Sequence, residues 1–519
     1  MFLKKLKTYL IQELSEQLLW SFVAYICGIL FCFSFLKGVR LSIISGGVVV
    51  FGLAWFCGRK NLIVSWWTMF ICFFLLGILN MLVCLQLKAH PVLNHPLYQT
   101  SISASVQENR VLVDKQILTL NHIKWIDPDL KMPQKIQVHF KKLEPIFKIG
   151  DHVKATVSVY PPSEDFSPTY AHHLWFNQIG ATGIAQDIQI LESESKFFSF
   201  SEARHTINQH LFQILPYAQA EIIAPLITGE QKLVSKNTYQ IYRRAGIAHV
   251  LSVSGFHMAL LAGFLFFIIR GFCALFPRIA LYYNSKKIAA VFALMGTALY
   301  LGLSGFQVPA VRAFVMIAFV FLGVLIERTV LSMRTLILTA FLILLIAPQM
   351  LFSISFQLSF VAVMVLIFIC NFIGQKTWGR MTKMVSGFFL LNIGVSLSLM
   401  PLILYHFHQI TPYGVLGNML FSGMFSVFIM PLLFMGSLFM PLGLDRPFFL
   451  LAGQGVDFVR WGTGEIADFP FSEIAISTFS PIALSMIMFG LILLCLMKTP
   501  LKVIGILPML VGIFVAIFP

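Results

Sequence analysis

The sequence predicts a polytopic α-helical membrane protein with an inserted extracytoplasmic small β-barrel (OB-like) domain. Three observations carry that prediction. Of 519 residues, 58% are hydrophobic and only 11% are charged, whereas a soluble domain carries about 25% charged residues. Mean hydropathy is +0.84. Apolar runs long enough to cross a bilayer recur on both sides of the middle of the chain. Between them, residues 88–215 change to alternating apolar and polar positions. The length accommodates about ten spans and one modest soluble domain, and a soluble enzyme is excluded.

The formal net charge of +15 admits two readings: a nucleic-acid footprint, or the Lys/Arg excess of cytoplasmic loops. Its distribution separates them. Residues 1–87 hold seven Lys/Arg and two acids, 88–215 hold twelve of each, and 216–519 hold eighteen and eight. The middle region is neutral, so the excess belongs to the membrane parts and reads as an orientation signal. None of the eight cysteines lies in 88–215, and no CxxC or Cys/His zinc spacing occurs, so neither a disulfide framework nor a zinc site is expected there.

Residues 1–19 read as a short amphipathic helix with Lys4, Lys5 and Lys7. Apolar runs follow at 20–36, 41–57 and 62–87. The first lacks a small-residue cleavage site and runs into Lys37, which makes it a span rather than a signal peptide. With the N-terminus inside, Lys4, Lys5, Lys7, Arg59 and Lys60 are cytoplasmic, against Lys37 and Arg40 outside. That count favours a cytoplasmic N-terminus, and three spans then put the middle region outside.

Alternation at 101–106, 110–120, 135–140, 151–160 and 181–191 predicts five short half-buried strands, with turn signals at Gly150-Asp151 and Pro161-Pro162. Five strands in this length suit a small OB-like barrel over 88–198; a β-sandwich insert is the alternative. Residues 199–246 read as amphipathic helices broken at Pro216 and Gly229. Spans follow near 247–269, 288–304, 309–326, 335–347, 353–373 and 385–404. Their basic loops contain Arg270, Arg278, Lys286 and Lys287, then Arg328 and Arg334, then Lys376, Arg380 and Lys383, and they alternate with nearly uncharged ones. That alternation gives the same orientation as the N-terminal count. Residues 413–440 form one kinked span at Pro431 or a re-entrant pair. Residues 447–466 are amphipathic, and 479–497 and 503–518 close the membrane region 247–519.

The unusual polar segments fall at the outer ends of these spans: "AGIAHVLSVSGFHM" at 245–258, "LSGFQVPAVRAF" at 303–314, "APQMLFSISFQLSF" at 347–360 and "LYHFHQITPYG" at 404–414. Broken backbone at membrane depth survives when it is buried in protein or lines a wet cavity, so a shared polar vestibule is expected. Its candidate lining residues are His249, Ser252, Ser254, Gly255, His257, Gln307, Arg312, Gln357, Ser359 and His406. Arg312 follows Pro309 at the start of an apolar span. It either contacts an anionic substrate or snorkels to the interface. The Ser-Val-Ser-Gly break could offer backbone N–H groups to an anion; packing histidines are the plainer reading of His249 and His257. Gln357 with Ser355 and Ser359 suits pore lining and interhelical hydrogen bonding equally. His406 and His408 flank Phe407 without a third ligand, so no metal is expected. "SVSGF" is not the GxSxG elbow, and neither a P-loop nor an HxHxDH run occurs. No catalytic activity and no cofactor are therefore predicted.

At these motifs the sequence resembles the ComEC family of competence proteins, the inner-membrane DNA channels of natural transformation. Residues 242–257 are similar to the family's "RRTGLAHLLAISGLH" signature. Gly302-Leu303-Ser304 with Pro309 and Arg312-Ala313-Phe314-Val315-Met316 resemble its second signature. Phe356-Gln357-Leu358-Ser359-Phe360 resemble the third, and Pro401, Tyr405-His406-Phe407, Pro412, Gly414 and Asn418 the fourth. "GDHVKATVSVYPP" and "NQIGATG" resemble its OB-like domain. The resemblance implies passage of single-stranded DNA across the bacterial inner membrane during DNA uptake. It also implies a DNA receptor, a separate nuclease, and cytoplasmic ATPase and single-strand-binding partners, beside membrane lipid and a homo-oligomer. A DNA-contacting barrel would use Lys135, His139, Lys141, Lys142, Lys148 and Lys154, with Phe140 and Phe147 for stacking. A solvated lysine face is the alternative, because a net-neutral domain gains little from counterion release. Many members continue into a metallo-β-lactamase-like domain where this chain stops at Pro519, so degradation of the second strand is expected to need another protein. A transporter of another anionic or lipid-linked substrate, a membrane enzyme using His249, His257 or Ser254, and a degenerate family member are the competing readings.

Overall fold

The computed structural model describes residues 17–35, 44, 47–52, 54, 62–111, 116–125, 132–141, 147, 150–162, 174–192, 200–326, 332–476, 479–497 and 499–517. They form two compact units, one over Leu82–Thr206 and the other combining Met1–Met81 with Ile207–Pro519. Lys4, Lys5, Lys7, Lys37, Arg40, Arg59, Lys60, Lys142, Lys148 and Arg328 lie outside the described residues, as do most of the 1–19 helix and the 41–57 span.

In the smaller unit, β1 (Leu97–Val111), β2 (Gln116–Trp125), β3 (Lys135–Phe140), β4 (His152–Tyr160) and β5 (Ala181–Glu192) close into a barrel of order β1-β2-β3-β5-β4, with β4 returning to β1. β3 runs parallel to β5, and the other pairings are antiparallel. This is a closed five-stranded barrel of OB-like kind. Alternate residues turn inward, among them Ile102, Val106, Leu118, Leu120, Ile136 and Val138. The run expected as one strand at 110–120 instead ends β1 and begins β2. β1 shifts register between Ser103 and Ser105 and again between Val106 and Glu108, so that Asn109 faces Leu118 and Val111 faces Gln116; a run of alternating residues reports neither the shifts nor the break between the strands. Phe140 and Phe147 are corrected. Both are 2% exposed and meet edge to face in the core, with ring centroids 5.8 Å apart. Phe140 continues the inward phase of Ile136 and Val138, so neither ring can stack on a base.

In the larger unit the helices are α1 (Gln17–Phe35) and α2 (Leu62–Leu87), whose end enters the barrel unit, then α3 (Phe200–Ile214), α4 (Tyr217–Thr228) and α5 (Lys236–Arg244). α6 (Gly255–Leu275), α7 (Pro277–Tyr282), α8 (Ser285–Leu303), α9 (Val308–Leu325), α10 (Met333–Ile346), α11 (Ile354–Gly374) and α12 (Arg380–Phe407) follow. Among the described residues, six helices are long and apolar enough to cross a membrane: Val64–Leu87, Gly255–Leu275, Ser285–Leu303, Ile354–Gly374, Arg380–Phe407 and Gly414–Leu442. Shorter apolar helices accompany them, and the chain is a multi-pass membrane protein.

Three details differ from expectation. α4 is buried from Gln219 to Thr228 rather than amphipathic, because it packs into the core formed by α13 (Gly414–Leu442) and α14 (Arg446–Ala467). α13 is one continuous helix that passes Pro431 with π-type turns at Asn418–Ser422 and Phe425–Ile429, so no re-entrant pair forms there. α14 runs back along it: Gly436 meets Phe449, Gly455 meets Phe428, and Gly462 meets Phe421. Finally, α6 begins at Gly255, eight residues later than its apolar run, after a 3₁₀ turn over Ala248–Leu251.

Candidate functional site: four polar segments joined around two helix starts

The four polar segments are far apart in sequence and are linked by direct contacts. In the first, His257 is fully buried, and its Nδ1 lies 3.0 Å from the Ser252 carbonyl oxygen and 3.3 Å from the Ser254 amide nitrogen. The ring thereby ties the extended Ser252–Ser254 stretch to the first turn of α6. Ser252 and Ser254 are half-buried, and His249 is exposed.

α6 and α9 meet at their starts. A Cβ on Gly255 would lie 3.4 Å from that of Ala313. Arg312 precedes Ala313 and is only 4% exposed, so the snorkelling alternative is not what the fold adopts. It is the fifth residue of α9. A cation this near a helix N-terminus faces the unfavourable end of the macrodipole and also loses hydration on burial.

The second segment closes on the end of α4. Gln307 Nε2 donates to the Gly229 carbonyl, and a Cβ on Gly229 would come 2.3 Å from the Ser304 carbonyl oxygen. Gly305 and Phe306 both take left-handed backbone, at φ 77° and 52°, and so turn the chain sharply between α8 and α9. The third and fourth segments are joined by Gln357 Oε1 and His406 Nε2, 3.2 Å apart, while Gln357 Nε2 donates to the Leu351 carbonyl at 3.0 Å. Ser359 is half-buried in α11. His406 is thus engaged by an amide, and His408 ends α12 in left-handed backbone at φ 54°. Among the described residues no group of three or more His, Cys, Asp or Glu could hold a metal ion.

Beyond His408, β6 (Gln409–Ile410) pairs with β7 (Ile474–Ala475). The chain then returns to the first segment at Gly414. A Cβ on Gly246 would lie 2.2 Å from the Gly414 Cα, and one on Gly417 would lie 2.2 Å from the Ala245 carbonyl oxygen. Arg243 pairs with Glu473, and Arg244 Nε lies 3.8 Å from the same carboxylate, which ties α5 to the β7 strand. The glycine contacts and Glu473 were not singled out from sequence. The available signal was glycine just past a helical run at 229 and 246.

The barrel separates its expected lysines. Lys141 and Lys154 are exposed near the end of β3 and the start of β4, on one rim. Lys135 opens β3 at the other rim, about 20 Å away along a six-residue strand. It is half-buried. Burial lowers the pKa of its ammonium, with the neighbouring Glu108 raising it and Lys88 lowering it further.

Residues 226–501, more than half of the chain, match the family model described as competence protein. The chain belongs to the competence protein family of ComEC/Rec2 type. All four polar segments lie inside the matched region. Among curated relatives, ComE operon protein 3 of Bacillus subtilis (strain 168) is 27% identical over 307 residues, covering 58% of this chain and 37% of the relative. Recombination protein 2 of Haemophilus influenzae is 23% identical over 354 residues, covering 67% and 42%. The uncharacterized protein YcaI of Escherichia coli is 28% identical over 252 residues, covering 48% and 33%. The matched part is therefore less than half the length of each relative. No solved structure matches the chain.

Proposed function

We propose that the chain is an inner-membrane channel that passes single-stranded DNA into the cytoplasm during natural transformation. The observation that carries this reading is the buried Arg312 at the joined starts of α6 and α9, inside a competence-family domain. A cation kept at that cost suits a polyanion passing close by. His249, Ser252, Ser254 and Ser359 line the path. Gly255, His257, Gln307, Gln357 and His406 fix the broken backbone that shapes it. The N-terminus is cytoplasmic and the barrel is extracytoplasmic, where exposed Lys141 and Lys154 meet the incoming strand first. The partners are a DNA receptor, a separate nuclease, and ATPase and single-strand-binding proteins in the cytoplasm.

A strain lacking the chain is the test. It is expected to retain DNA outside the cytoplasmic membrane in nuclease-protected form and to give no transformants. Transformation at the parental frequency would refute the assignment.

A further inference from the structure

The two rims of the barrel differ in chemistry, and one of them is fixed to the end of a span. α2 stops at Leu87, and only residues 88–96 separate it from β1. Lys88 Nζ donates to the Phe176 carbonyl at 2.8 Å, and Gln178 Nε2 donates to the Leu87 carbonyl at 3.5 Å. The His90 and Trp175 rings lie 6.0 Å apart. The short helical turn between β4 and β5 is thus held against the last residues of α2. The starts of β1, β3 and β5 and the ends of β2 and β4 share this rim, as their registers require.

On it, Tyr98 and Tyr160 project from neighbouring strands, 67% and 39% exposed, with ring centroids 6.0 Å apart. Ile184 on β5 is 43% exposed beside them, opposite Ser158. Lys88, Lys124 and Lys135 belong to the same rim, and Glu108 on β1 is the carboxylate that neighbours Lys135. The connections 126–131 and 163–173, which contain Asp127, Asp129, Glu164 and Asp165, lie outside the described residues. The opposite rim has no exposed aromatic pair among the described residues and mixes Lys141, His152 and Lys154 with Asp151 and Glu192.

We infer that the rim bearing Tyr98 and Tyr160 is seated in the lipid headgroup layer where α2 leaves the membrane. Tyrosine suits that layer because its ring is apolar and its hydroxyl is wet. The rim lysines, with apolar stems and cationic heads, suit the phosphates of anionic lipid. Exposed tyrosines could also stack on bases; the contacts that tie this rim to the last residues of α2 favour the headgroup layer, and the oligonucleotide in the test below separates the two. A lipid seat leaves the opposite rim, with Lys141 and Lys154, turned toward the solvent. The seat does not depend on what passes through the channel.

The test is photocrosslinking with the full-length chain in nanodiscs of phosphatidylethanolamine and phosphatidylglycerol. A benzophenone-bearing phenylalanine analogue is placed singly at positions 98, 160 and 154, with a single-stranded oligonucleotide present. The expected result is phospholipid adducts at 98 and 160 and none at 154. Oligonucleotide adducts at 98 and 160, equal lipid labelling at all three positions, or no lipid adduct at 98 and 160 would each overturn the proposal. Retention of the position-154 protein in the nanodisc controls for folding, and the substitutions at 98 and 160 keep an aromatic ring.

Discussion

Arg312→Gln is expected to reduce DNA internalisation by about 10- to 100-fold at unchanged protein level. A hydrogen bond to a charged group contributes about 1.5–3 kcal/mol, and each 1.4 kcal/mol is about tenfold. Glutamine is chosen because it keeps a polar side chain at a buried position. The membrane level of each variant separates a loss of transport from a loss of fold. Arg312→Lys keeps the charge and loses the planar fork, so an intermediate phenotype is expected. The readout is transformation frequency together with the membrane level of each variant. Parental uptake by Arg312→Gln would remove the arginine from the path.

Gly246→Ala is expected to have the largest effect on folding. Gly246 has φ 75°, and a Cβ there would meet the Gly414 backbone at 2.2 Å. Left-handed backbone costs a residue with a Cβ about 1–2 kcal/mol. Overpacking adds about 1–3 kcal/mol, and here the opposing atom is main chain that cannot rotate away. The same contact joins the first polar segment to the fourth, so the variant should lose both thermal stability and DNA uptake. Gly263→Ala is the matched control. Gly263 lies within α6, and a Cβ there would meet nothing within 4 Å; alanine improves helix propensity by up to about 1 kcal/mol. Melting of the two variants in detergent is the comparison. Equal melting temperatures would contradict the close contact.

Much of this arrangement was legible in the sequence, because bilayer length and inward phase leave direct marks. The five strands followed from alternation, and the six long apolar helices from apolar length. The break between β1 and β2 was hidden because the register shifts within β1 leave no mark in the local alternation. Phe140 and Phe147 were misassigned because residue type was weighed without the inward phase. Burial of α4 depends on α13 and α14, about two hundred residues away in sequence, which no local pattern reports. The candidate site divides in the same way. Its segments were visible as polar breaks in apolar runs. Their joining was not, because the contacts are made by glycines and by a Gln357–His406 pair 49 residues apart. The lysines expected to form one surface lie on two rims, because β3 is straight and Lys135 and Lys141 are at its opposite ends.

The central claim is that this chain itself conducts single strands. The most direct measurement uses the purified full-length protein in a planar bilayer, with oligonucleotide on one side and sequence amplification on the other. An applied potential supplies the driving force, about 2.3 kcal/mol per charge for each 100 mV. Single-stranded DNA is predicted to cross, a duplex of the same length to be excluded, and Arg312→Gln to slow the passage. Failure of single strands to cross at any applied potential, or equal passage of duplex and single strand, would contradict the account.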